Sequence, residues 1–303
     1  MFDRFVVVDW SANSAPKLGR DSIWVAHLDV AGNMSVTNLP TRQRAEAFLG
    51  HLFEIDPTLT TLVGVDFSLG YPAGTAGALG VDGTPWSAMW SLLTEDIVDD
   101  DRNANNRFAV AAEFNRRLTG TASPFWGCPP SSAGRHLTTT KPPDSAPLAP
   151  FRATEEVLRE RGHRPFSSWQ LFGAGSVGSQ SLLGIPVLER LRSRFGERVD
   201  VWPFTTGMLL PALDAGAIVV VEVWPSMREL GDHDDTVRDA AQVSATADWL
   251  ADTDAADGLD ALFSPALPSA VERAAVAEEG WVLGVVPVSY THLTLPTNVS
   301  MCS

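Results

Sequence analysis

The sequence predicts an α/β fold with a mixed sheet, and three apolar runs carry that prediction. Phe5-Val6-Val7-Val8 leads straight into Asp9. Leu62-Val63-Gly64-Val65 leads into Asp66. Ala217-Ile218-Val219-Val220-Val221-Glu222-Val223 holds Glu222 inside it. Runs this short and continuous fit central strands covered on both faces. A carboxylate at the C-terminal end of such a strand sits where open α/β sheets place their ligands. An ionised side chain buried without a partner is costly, so three acids at comparable positions point to a shared cation. The other reading at each position is a separate strand-end residue or helix cap.

Taken in order, the elements extend this frame. A polar turn over 11–21 follows Asp9. Ser22 to Leu28 reads as a second strand, Ala31-Gly32-Asn33 supplies turn chemistry, and Met34 to Leu39 reads as a third. Connections this short favour an antiparallel meander. Thr41 caps a helix over 42–53 with Ala45, Phe48, Leu49 and Leu52 on one face. The strand ending in Asp66 comes next. The order β-β-β-α-β, with carboxylates ending the first and fourth strands, opens a ribonuclease H-like fold: a mixed sheet flanked by helices. A doubly wound dinucleotide domain would run β-α-β from the outset.

Behind Asp66, Phe67-Ser68-Leu69-Gly70-Tyr71-Pro72 turns the chain out of the sheet. A large helical and loop insertion at about 70–165 follows the fourth strand. Within it 84–93 reads as helical, with Trp86 and Trp90 one turn apart. A second helix opens in the run Asp99-Asp100-Asp101 and reaches Leu118, its acids suiting the helix dipole. Residues 121–150 are rich in Pro, Ser and Thr and read as a long surface loop, either a tolerated insertion or a substrate lid.

Gly173-Ala174-Gly175-Ser176-Val177-Gly178 has the form GxGxxG. A dinucleotide site needs a strand before it, a helix after it, and an acid ending the next strand. A helix over 179–194 fits, but the following strand, Val199 to Phe204, ends without an acid. The segment is therefore expected to bind no NAD or FAD. Tight glycine packing, or a loop offering backbone N–H groups to an anion, are the readings left. After Glu222, Gly231-Asp232-His233-Asp234-Asp235 leads into a helix running to about Leu250. Asp235 and Asp239 are four apart and share a face, and Ala240 and Ala241 let that helix approach the sheet closely. Asp239 is expected inside this helix, where capping does not account for it. Residues 254–287 read as one or two short helices and a final strand over 281–286.

At 303 residues the chain can bury a large core, and 1–287 reads as a single domain. The net charge of −15 argues against tight nonspecific binding to a nucleic-acid backbone. It leaves a nuclease open, because a metal site needs clustered carboxylates. Cys128 and Cys302 show neither metal-ligand spacing nor a disulfide framework. No apolar run reaches membrane length, and the start lacks the layout of a signal peptide. A cytoplasmic protein without membrane contact is the expectation. Residues 288–303 hold one of the two Tyr and one of the two Cys, and His292 is the one ionisable side chain there besides those. They read as translated adapter read-through, a non-native tail.

The acids in their surroundings also carry a resemblance. Asp9 ends the first strand, Asp66 precedes Phe-Ser-Leu-Gly-Tyr-Pro, Glu222 lies in Val-Glu-Val-Trp-Pro, and Asp239 lies in Val-Arg-Asp-Ala-Ala. Over roughly residues 3–287 the chain resembles the DUF429 family of predicted nucleases with a ribonuclease H-like fold. Asn105-Asn106-Arg107-Phe108, Phe125-Trp126-Gly127, residues 173–180 and Val201-Trp202-Pro203-Phe204 look typical of one subgroup. That subgroup is often labelled a molybdopterin-guanine dinucleotide or cobalamin biosynthesis protein. The resemblance implies that Asp9, Asp66, Glu222 and Asp239 form the catalytic and metal-holding site.

Converging carboxylates repel one another unless a divalent ion is present, and oxygen-only ligands select Mg²⁺ or Mn²⁺ over zinc. Two such ions about 4 Å apart can activate water and stabilise the leaving oxygen in phosphodiester hydrolysis. The expected function is thus a divalent-metal-dependent hydrolase of phosphodiester bonds, with nucleic acid or a nucleotide as substrate. Asp9 would bridge, Asp66 and Glu222 would complete the first metal positions, and Asp239 would hold the more exchangeable ion. Arg102, Arg107, Arg116 and Arg117 are candidates for phosphate contacts. Three other classes compete. A sugar-kinase-like phosphotransferase needs two copies of the domain, and the sequence has no internal repeat. A cofactor-biosynthesis transferase needs a Gly-rich, Lys-bearing loop after the first strand, where Gly19 stands alone. A non-catalytic ribonuclease H-like binding module has no need of the full set of acids.

Overall fold

The computed structural model describes residues 1–143, 147–173, 176–231, 233 and 237–287. Its strands are β1 (Arg4–Asp9), β2 (Ile23–Leu28), β3 (Met34–Leu39), β4 (Thr61–Val65), β5 (Val199–Val201) and β6 (Ile218–Glu222). They form one sheet in the order β3-β2-β1-β4-β6-β5. The pairs β1–β2 and β2–β3 are antiparallel, and β1–β4, β4–β6 and β5–β6 are parallel. The expected meander and the mixed α/β sheet are both present. Nearly every residue of β1, β4 and β6 is buried, as continuous apolar runs in a doubly covered sheet must be.

Helices cover both faces: α1 (Arg42–Ile55), α2 (Thr75–Leu79), α3 (Pro85–Asp96), α4 (Arg107–Leu118), α5 (Ala153–Glu160), α6 (Val177–Phe195), α7 (Arg238–Ala255), α8 (Leu259–Phe263) and α9 (Ser269–Ala274). The period-2 alternation of strand side chains divides the interior in two. Val6, Val8, Val63, Val65 and Val220 pack with Leu49 and Phe53 of α1 and with Leu182 and Leu183 of α6. Val7, Leu62, Val219 and Val221 pack on the other face with Val243, Ala247 and Leu250 of α7. Thr41 caps α1, its Oγ1 accepting from the Arg44 N–H at 3.3 Å. Trp86 and Trp90 of α3 meet edge to face at 5.5 Å, and Trp86 stacks on Phe204 at 5.0 Å.

Three local expectations are corrected. The acidic run 99–101 does not open a helix. Asp100 Oδ1 accepts from the Arg102 and Ala104 N–H groups, holding a turn, and Asn103 takes a left-handed φ of 66°. The helix begins at Arg107. The stretch 121–150 is, where it is described, the long loop expected, with 130–135 exposed, and it is anchored by Phe125, Cys128 and Leu137, which are buried in the core. Asn115 clamps it by donating to the Phe125 and His136 carbonyls and accepting from the Phe125 N–H. β5 stops at Val201, before Pro203, which has no N–H for a ladder. The final strand over 281–286 shrinks to a single bridge between Val282 and Glu222. The predicted tail, 288–303, lies outside the described residues. Among the described residues no helix is long and apolar enough to cross a membrane.

Candidate active site at the strand ends

Register places the acids. Val8 pairs with Val65 across β1–β4, and Val65 pairs with Glu222 across β4–β6. Asp9 and Asp66 each follow one residue later, so they share a level and a face. Glu222 sits one level earlier, and a one-residue offset turns a side chain to the opposite face. The face that Asp9 and Asp66 share is the one α7 covers, and Asp239 lies in the first turn of α7. Ala240 and Ala241, both buried, let that turn approach β1 and β2 closely. Asp239 is therefore at the helix start, not in its interior as expected, where an acid suits the dipole.

The Asp9 and Asp66 carboxyl groups lie within hydrogen-bonding reach of each other. Burial, then the charge of Asp66, holds the Asp9 carboxyl well above the ordinary carboxylate range, and Asp239 and Asp21 add to the repulsion. Burial also pushes Asp66 up to about 7, against the lowering effect of the Trp10 N–H. That N–H donates to Asp66 Oδ1 at 2.8 Å and fixes the side chain. Asp239 Oδ2 accepts from the Asp21 N–H at 2.7 Å, tying α7 to the loop that follows β1. Among the described residues no Lys, Arg or His forms an ion pair with Asp9, Asp66 or Asp239.

Glu222 does not join this cluster. Arg152, fully buried, donates to both of its oxygens, at 2.6 and 2.8 Å. The Leu69 N–H donates to Oε2 at 3.2 Å. The same guanidinium binds Glu155 and the Glu279 carbonyl. Glu278 and Glu279 in turn accept from backbone N–H groups of residues 73, 74, 76 and 153. This second acidic cluster is thus held from inside the fold by one guanidinium and several backbone N–H groups. Asp66 and Glu222 both reach a small cavity of about 50 Å³ where the two clusters adjoin.

Asp9 and Asp239 line an open pocket of about 710 Å³, with Asn13, Ser14, Arg20, Arg107 and Ser176 among its walls. Of the four arginines proposed for phosphate contacts, Arg107 alone lines this pocket. Arg116 is paired with Glu113, Arg117 donates to the Leu79 carbonyl, and Arg102 is exposed. Gly178 packs tightly: a Cβ there would lie 2.4 Å from the Ser168 carbonyl oxygen. The stretch before it makes one bridge, Gln170 to Trp126, and is not a strand of the sheet. Ala174, Gly175, Asp232, Asp234 and Asp235 lie outside the described residues.

Sequence reasoning missed Arg152, which neutralises Glu222. Its one signal is Arg152-Ala153-Thr154-Glu155 before an amphipathic stretch, a helix start in which the Glu155 carboxylate accepts from the Arg152 N–H at 2.7 Å. It also missed Asp21, whose backbone N–H holds Asp239. Compared with protein-family models, with curated proteins and with solved structures, the chain matches none.

Proposed function

We propose that this chain is a divalent-metal-dependent phosphodiester hydrolase of ribonuclease H-like fold, with Asp9, Asp66 and Asp239 as its acidic site. The three-strand meander continued by parallel β4 and β6 supports that fold. One observation carries the function: two carboxyl groups at adjacent parallel strand ends lie within hydrogen-bonding reach of each other, and no cationic side chain among the described residues pairs with either.

The donor chemistry fits Mg²⁺ or Mn²⁺. Among the described residues no three His, Cys, Asp or Glu side chains already stand close enough to hold a metal. Asp9 and Asp66, however, share a position that either a proton or a cation must occupy, with oxygen ligands only. Asp9 and Asp66 would hold the ion, and Asp239 would complete the set from α7. Such an ion supplies Lewis acidity and a water acidic enough to ionise near neutral pH. The chain's own contribution is orientation. The Trp10 N–H fixes Asp66, the Asp21 N–H fixes Asp239, and the pocket admits a ligand of nucleotide size. Glu222 drops out of the set that the family resemblance implies, and its role becomes holding Arg152 in place.

The test is hydrolysis of single-stranded DNA, duplex DNA, RNA, hybrid and a simple aryl phosphodiester, with Mn²⁺, Mg²⁺ or EDTA. Metal-dependent cleavage of at least one substrate, abolished by Asp9→Asn, is expected. Cleavage that survives Asp9→Asn, or none by the wild type, would leave the proposal without support.

A further inference from the structure

The pocket that holds Asp9 and Asp239 has a second, cationic wall at Arg107. Arg107 opens α4 and is 6% exposed. Among the described residues all its side-chain hydrogen-bond partners are neutral. Nε donates to Ser179 Oγ at 2.9 Å, and Nη1 donates to Ser14 Oγ at 3.0 Å and Asn105 Oδ1 at 2.7 Å. The Phe108 ring lies 4.2 Å from the guanidinium carbon. Asp99, whose charge Arg107 feels, is occupied by Arg42 through two bonds of 2.5 and 2.6 Å. A buried guanidinium without a counter-ion is as unfavourable as a buried carboxylate without one. Burial and the charge of Arg42 push Arg107 down to about 10, so it still carries its proton at neutral pH.

Two further features make this wall positive. α4 and α6 both begin here, neither with a side-chain cap, and the Arg107–Ser179 bond ties their first turns together. Each helix start adds partial positive charge. Yet Arg107 pairs with neither Asp9 nor Asp239, although all three line one pocket. The pocket therefore holds carboxylates, with Arg20 beside Asp21, and out of ion-pair reach of them a buried cation that no acid among the described residues pairs with.

Resting on the hydrolase reading, we propose that Arg107 anchors a second, non-scissile phosphate of the substrate. The substrate class is then a nucleotide chain bearing at least two phosphates, one at the aspartates and one at Arg107. Simple phosphodiesters, having one phosphate, cannot fill both positions at once.

The test uses the full chain in EDTA, so it needs neither metal nor catalysis and stands apart from the hydrolysis assay. Inorganic phosphate, the thymidine dinucleotide TpT and its 5′-phosphorylated form pTpT are the probes, at matched ionic strength. Wild-type protein should bind pTpT about tenfold more tightly than TpT, as one charge-assisted arginine–phosphate contact predicts. Arg107→Gln should erase that difference while melting as a folded protein. Arg107→Lys keeps the charge but not the fork and should retain part of it, which decides the matter if the glutamine variant does not fold. Equal affinity of the wild type for pTpT and TpT, or an undiminished preference in a folded Arg107 variant, overturns the proposal. So does binding of inorganic phosphate with no preference for pTpT.

Discussion

Replacing Asp66 with Asn should stabilise the metal-free protein, and only at high pH. Asn is nearly the same shape and keeps an oxygen to accept from the Trp10 N–H, a 2.8 Å bond, so the perturbation removes charge and little else. The folded Asp66 carboxyl titrates at about 7 against an ordinary value of 3.8. The folded chain therefore holds this proton more tightly than the unfolded chain does. The stability it confers is complete below the unfolded value and is lost as pH rises toward 7. At about 1.4 kcal/mol per pH unit, the penalty above pH 7 approaches about 4 kcal/mol, an upper figure because Asp9 shares the proton. For a chain of this size that is a rise in melting temperature of roughly 5–8 °C for Asp66→Asn at pH 8.5, with no gain at pH 4. Thermal melts in EDTA at the two pH values make the measurement. An Asn variant less stable than wild type at pH 8.5, or a difference that ignores pH, would refute the buried proton-sharing pair.

Three other outcomes follow from the same geometry. Asp239→Asn keeps an acceptor for the Asp21 N–H and should melt with the wild type in EDTA while losing Mn²⁺-induced stabilisation. Asp239→Ala should also lose about 1 kcal/mol, and an Asn variant that still responds to Mn²⁺ removes Asp239 from the site. Arg152→Met strands Glu155 and Glu222 without a cation and should cost about 3–5 kcal/mol in urea denaturation. Glu222→Gln leaves Arg152 paired with Glu155 and should cost about 1–2 kcal/mol; equal losses would contradict Arg152 as the shared partner. Gly184→Ala places a Cβ 2.3 Å from the Phe67 ring and should destabilise by about 1–3 kcal/mol. It should also lower hydrolysis, because Phe67 follows Asp66 directly, and a fully stable, active variant would show that α6 has room to move.

Much of the sheet was legible because strand burial leaves its mark in continuous apolar runs and short turns. The meander, the capped helix at Thr41 and the long helix Val177–Phe195 all rest on such local signals. Where reasoning failed, the deciding partner lay far off in sequence. The run Asp99-Asp100-Asp101 looks like a helix start, but Asp99 is drawn to Arg42, 57 residues earlier. Residues 121–143 have the composition of a loop and form one, but nothing local showed that Asn115 and the Phe125–Trp169 ring contact at 4.8 Å anchor it in the core.

Glu222 shows why an acid in an apolar run does not identify itself. In sequence it matches Asp9 and Asp66: each is a single carboxylate at the end of a buried strand. Two facts outside the run separate them. Register sets Glu222 level with Val65, one residue short of Asp66, so it faces away from α7. A guanidinium 70 residues earlier then takes both its oxygens. The strand acids thus divide by whether the fold supplies their counter-charge. Glu222 has been given Arg152. Asp9 and Asp66 have been given only each other, Asp9 on the wall of a pocket open to solvent and Asp66 on that of a small adjoining cavity, and a folded chain holds two such groups together only with a proton or a cation between them. On the other wall Arg107 is left in the mirror condition, a buried cation waiting for an anion. Carboxylates and a buried arginine lining one pocket are the features on which the proposed binding of a divalent ion and of a phosphate rests.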